Sequence, residues 1–113
     1  MSERLEYGAV EIKWTGWPKG ITGAILQATE ALGDARADTH VTLVVDALSI
    51  EEAHRLSLFE ALRGLVHSSV LERPGLRANL VFGGSDDDRR QFSRYLATAP
   101  YVFGASIDLG RHG

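Results

Sequence analysis

The stretch Val41-Thr42-Leu43-Val44-Val45 restricts the fold more than any other part of this chain. It is apolar at nearly every position and mostly β-branched, with no alternating polar face to leave in water. Such a run suits a central strand covered on both sides. A sheet with a strand of this kind needs helices to cover it, and the flanking sequence supplies them. Ile21, Ile25, Ala28 and Leu32 recur at helical spacing before the strand, and Gly33 is placed to end that helix. After it, Ala53, Leu56, Phe59 or Leu62, Leu65 or Val66, and Val70 keep the same period as far as Pro74-Gly75. Two capping-box patterns, Ser49-x-x-Glu52 and Ser57-x-x-Glu60, leave open whether this is one helix or a turn followed by a helix from Ser57.

The remaining segments repeat the alternation. Val10, Ile12 and Trp14 alternate with Glu11, Lys13 and Thr15, the period of a strand with one buried face, and Leu5 and Tyr7 before Gly8 fit either a short extra strand or a bulged extension of this one. Ala78 to Phe82 reads as a second interior strand. Gly83-Gly84-Ser85 then turns the chain into a helix carrying Phe92, Leu96 and Ala99 on one face, closed by Pro100. Val102 to Leu109 reads as an edge strand before a polar tail. The order is β-α-β-α-β-α-β, with or without an additional strand in front. Helix-length connections imply right-handed crossovers and a largely parallel sheet.

Size and composition set the outer limits. A chain of 113 residues fits one domain, here 1–113. The formal net charge of -3 argues against nucleic acid as a partner. Cysteine is absent, which excludes disulfides, thiol nucleophiles and thiolate metal sites. No segment approaches the roughly 20 apolar residues of a membrane span, and the first residues lack the apolar stretch of a leader, so a cytoplasmic location is expected. The preference for arginine over lysine is compatible with a GC-rich bacterial genome.

Each candidate for chemistry has a plainer reading. Asp46 closes a buried strand, where open α/β sheets place functional groups, but an aspartate there also accepts hydrogen bonds from the next turn. Gly83-Gly84-Ser85 could offer amides to an anion. Asp86-Asp87-Asp88 would repel one, and they suit a helix start capped by Ser85, with Asp86 pairing to Arg90. Serines 49 and 57, His54, His67 and Asp46 supply the residue types of a hydrolase triad without a nucleophile elbow or an oxyanion hole. His40, His54, His67 and His112 show no metal-ligand spacing. No cofactor, metal or catalytic set is therefore expected. Trp14 follows the inward face of its strand, whereas Trp17 sits in the breaker-rich loop Gly16-Trp17-Pro18-Lys19-Gly20, folded back on the sheet or open to a partner.

This order of elements resembles the STAS (SpoIIAA-like, anti-sigma-factor antagonist) family over nearly the whole chain. The matching stretches are Val10 to Gly16, the Ile21 to Leu32 helix, Val41 to Val45 ending in Asp46, the helix containing Leu56-Ser57-Leu58-Phe59-Glu60-Ala61-Leu62, and Arg77 to Gly84. The resemblance implies a mixed, largely parallel sheet of four or five strands with about three helices packed mainly on one face. It also implies a non-enzymatic, regulatory role in binding a protein, such as a kinase-like anti-sigma factor, or in a larger signalling assembly, with a homodimer as a further form. Phosphorylatable members carry Asp-Ser-Ser-Gly at the start of the second helix. Ser57, in Arg55-Leu56-Ser57-Leu58, is the nearest equivalent and lacks both the acid and the glycine. The surface expected to meet a partner comprises Trp17, Asp46, Ser49, His54, Ser57 and Phe59. The alternatives are a small-molecule or lipid-binding domain of SEC14-like type, or an enzyme with a site near Asp46 and Gly83 to Asp86.

Overall fold

The structure, a computed structural model, describes residues 3–36 and 39–110. His112 and the end of the polar tail lie outside these residues. Eight elements follow one another: β1 (Glu3–Arg4), β2 (Ala9–Glu11), α1 (Gly20–Asp34), β3 (His40–Val45), α2 (Glu52–Glu72), β4 (Arg77–Phe82), α3 (Asp86–Ala97) and β5 (Ser106–Asp108). The strands form one sheet in chain order, with β1 antiparallel to β2 and the other neighbours parallel. The fold is thus the expected α/β class, and a strand does precede Gly8, but it is Glu3–Arg4; Leu5 and Tyr7, whose alternation suggested it, lie in the connection to β2. A 3-10 turn at Glu6–Gly8 separates β1 from β2, with Tyr7 and Gly8 in the left-handed region (φ 61° and 72°).

Register decides which residues share a face. Val10, Leu43 and Leu80 stand side by side, and on the next rung Glu11, Val44 and Val81 point the other way. The first face holds the larger core, where Leu58, Leu62 and Val66 of α2 and Ala24, Ala28 and Leu32 of α1 cover Leu43, Val45, Leu80 and Phe82. The second face holds a smaller core of Ala9, Val44, Val81 and Leu96, with Phe92 and Ile107 packed beside it. Two helices therefore cover one face and α3 covers the other. Because the strands advance in one direction across the sheet, the connection through α3 has the opposite hand to the first two. The three crossovers are therefore not of one hand, although the sequence reading expected them to be.

Several element ends differ from the sequence reading, and in all but one case a distant side chain is the reason. Strand β2 stops at Glu11 because the Lys13 backbone turns away, its N–H donating to Gln27 Oε1 (2.8 Å) and its carbonyl accepting from Gln27 Nε2 (2.9 Å). Helix α1 continues through Gly33 to Asp34, and its last carbonyls, at Leu32 and Ala35, accept from the Arg73 guanidinium. Neither capping box opens α2. Fully buried Ile50 dips into the core in a turn closed by its own N–H to Ala47 (3.2 Å), so the helix begins only after Glu51. The chain before β5 is held as a loop, not a strand, by buried Asn79, which donates to the Val102 carbonyl (3.1 Å) and accepts from Ala105 N–H (2.9 Å).

Candidate functional site

All four parallel strands deliver their carboxyl ends, and α1, α2 and α3 their amino ends, to one edge of the sheet, where open α/β folds commonly carry function. Asp46, Ser49, the Gly83 to Asp86 turn and the Trp17 loop all lie at this edge.

Asp46 performs the plainer of its two roles, its Oδ1 accepting from Leu48 N–H at 3.0 Å. Its other oxygen lies 3.8 Å from the guanidinium of Arg89, whose side chain is only 7% exposed. Arg89 also donates to the carbonyls of Gly83 (3.0 Å) and Gly84 (2.6 Å) and pairs with Asp86. Asp46 and the glycine turn do converge, then, but on an arginine that already fills the space between them. The amides that an anion would need are spent as well. Gly83 N–H donates to Val45 O (2.9 Å), Gly84 N–H to Gly110 O (2.8 Å), and Ser85 N–H to the Asp88 carboxylate (3.3 Å). Ser85 in turn accepts from Asp88 N–H at 3.0 Å, completing a capping box. The expected Asp86–Arg90 pair is replaced by Asp86–Arg89 and Asp87–Arg90.

The two glycines are required by this closure. Both have left-handed φ (82° and 70°), and a β-carbon on Gly83 would lie 2.2 Å from the Gly110 carbonyl oxygen. A second arginine tightens the same edge. Arg55 of α2 grips Asp108 of β5 through both terminal nitrogens (3.0 and 2.6 Å), with its guanidinium carbon 5.0 Å from the centre of the Phe82 ring. The Arg55 hydrogen bonds hold the Asp108 carboxyl below its ordinary range, and the same bonds raise Arg55. Sequence spacing gives no sign of the Arg55–Asp108 pair, 53 residues apart, or of Arg89 reaching Asp46 from another element; only Asp86, one turn before Arg89 on α3, lies at a readable spacing.

What this edge leaves exposed is aromatic. The Trp17 ring lies flat on His54, with centroids 4.1 Å apart and planes within 3°, and Trp14 stacks more loosely on the same imidazole at 6.4 Å. Trp14 is half-buried against the core, with its ring over Gly20, whereas Trp17 remains 57% exposed. Leu48, equally exposed at 57%, lies at the same edge in the turn after β3. Ser49 is exposed in the same turn, and Ser57 is exposed on α2, more than one turn inside the helix. Phe59 turns inward and packs edge-on against buried Phe82 (5.3 Å). The six residues expected to meet a partner thus divide. Trp17, His54 and Ser49 gather at the edge with Asp46, Ser57 lies farther along α2, and Phe59 belongs to the core boundary.

A groove of about 890 Å³ runs elsewhere, between α3 and β2, lined by Ala9, Glu11, Val44, Asp86, Arg89 and Ser93. Asp86, the last residue of the Gly83 to Asp86 turn, reaches it together with Arg89, whereas Asp46, Gly83 and Gly84 do not line it. Among the described residues, no three acidic or histidine side chains form a metal-binding group, and no helix is long and apolar enough to cross a membrane. Comparison of the chain with family models, curated proteins and solved structures finds no match.

Proposed function

We propose that this chain is a non-enzymatic regulatory module of STAS-like type that works in the bacterial cytoplasm by binding another protein. Its contact surface is formed by Trp17, His54, Leu48 and the turn bearing Ser49. The single observation that carries this reading is the Trp17–His54 stack, a large aromatic ring held in place yet left 57% exposed. Exposed rings fixed by packing lose little entropy on binding, and tryptophan is among the residues that dominate interface energies. The enzyme alternative has less support, because the groups it needs at Asp46 and Gly83 to Asp86 are bonded to one another.

The test is affinity capture from extracts of the source cells with three baits: the natural chain, Trp17→Ala, and Leu26→Ala on the exposed side of α1. A protein retained by the natural chain and by Leu26→Ala, and lost with Trp17→Ala, is the expected result. Equal recovery by all three baits, or no specific protein at all, contradicts the reading.

A further inference from the structure

We infer that the outer face of the Trp17 ring receives the guanidinium of an arginine in a basic segment of the partner, an assignment that rests on the contact surface proposed above. One face of the indole is covered by His54 in a nearly parallel stack, and the residue still exposes 57% of its surface, so the opposite face is open. The face of an indole is its electron-rich side and attracts cations, and a planar guanidinium stacks on it better than an ammonium does.

The surrounding charge favours the same guest. Both arginines at this edge are withdrawn from the surface, Arg89 at 7% and Arg55 at 12% side-chain exposure, and each is neutralised by a carboxylate. The acids that face solvent outnumber the cations there: Asp46, Asp86 and Asp87 are taken up by Arg89 and Arg90 and Asp88 by the Ser85 cap, and exposed Glu51 and Glu52 at the start of α2 supply the negative charge beside the stack. Lys13, Lys19 and Arg90 are the exposed cations of this edge, and Arg90 already pairs with Asp87 at 3.5 Å. Glu51 and Glu52 lie three and two residues before His54, and the Glu51 carbonyl accepts from His54 N–H at 2.9 Å. Under this assignment a guanidinium on Trp17 has exposed carboxylates within one helical turn of the residue on which Trp17 rests.

The experiment is a titration of the isotope-labelled chain, followed by NMR, with three blocked hexapeptides of alternating glycine and arginine, lysine or glutamate. The two indole N–H signals separate Trp17 from Trp14, which serves as the internal control. The arginine peptide is expected to shift the Trp17 signal and the Glu51 and Glu52 amides, to bind more tightly than the lysine peptide, and to weaken as salt rises. Trp17→Leu, which keeps an apolar side chain but removes the ring, should weaken it about fivefold with no loss of thermal stability. An arginine peptide that fails to bind, binds no better than the glutamate peptide, or binds Trp17→Leu equally well overturns the assignment. A partner captured through Trp17 whose contacting segment is acidic or apolar also overturns it while leaving the contact surface in place. Loss of Trp17-dependent capture removes both.

Discussion

At the residue scale, the buried Arg89 does most to separate a reactive edge from a closed one. It satisfies two carbonyls and neutralises two carboxylates from a position with almost no contact with water. Replacing it with leucine leaves the buried Gly83 and Gly84 carbonyls without their donor, while Asp86 and Asp46 keep their water, and should cost about 2 kcal/mol, read as a lowered denaturant midpoint. Asp46→Asn keeps an oxygen for Leu48 N–H, and because Asp46 is nearly half exposed it should cost less than about 1 kcal/mol. A large loss from Asp46→Asn would show that this account underrates that carboxylate. His40 sets the response to pH. Burial first, then the charge of Arg77, lowers its pKa, against a bond to the Tyr7 backbone. The unfolded chain therefore takes up the proton first, so stability should be constant above roughly pH 6.5 and fall as pH drops below it. The depressed carboxyl of Asp108 adds a second loss at lower pH, as the solution falls through the range below ordinary aspartate values. Thermal unfolding between pH 8 and pH 3, with His40→Gln losing the upper step, checks both signs.

Elements show how far the sequence could be read and where it could not. The Ser85 cap and the buried strand β3 were legible because their causes are local: a serine three residues before an acid, and an unbroken apolar run. Replacing Ser85 with alanine should cost about 1 kcal/mol, measured by chemical denaturation. The ends of β2 and α1 and the late start of β5 were illegible because Gln27, Arg73 and Asn79 act on backbone 14, 41 and 23 residues away. Gly33 looked like a stop because glycine often ends helices, but here an arginine from α2 ties off the last turn. The side on which α3 packs could not be read either. Both faces of β3 and β4 are apolar, so the pattern that marks them as central strands says nothing about which helix covers which face. Asn79→Ala should release the loop before β5 and raise amide exchange at Ala105 well before global unfolding.

For the whole molecule, the consequence is a division between a closed interior edge and an exposed aromatic surface. The candidate site was half legible: Asp46, Ser49, His54 and Trp17 were named from sequence and do share one edge, while Leu48 was missed and Phe59 turned inward. A lone exposed leucine in a turn carries no pattern, and only the fold places it at the same edge as the stack. The central claim is that this edge binds protein and performs no chemistry. Hydrogen–deuterium exchange of the chain alone and with its captured partner tests it most directly. Protection should be concentrated at residues 13–19 and 47–56, which carry Trp17, Leu48 and His54. Protection centred instead on the groove between α3 and β2, with residues 13–19 and 47–56 unchanged, would contradict it.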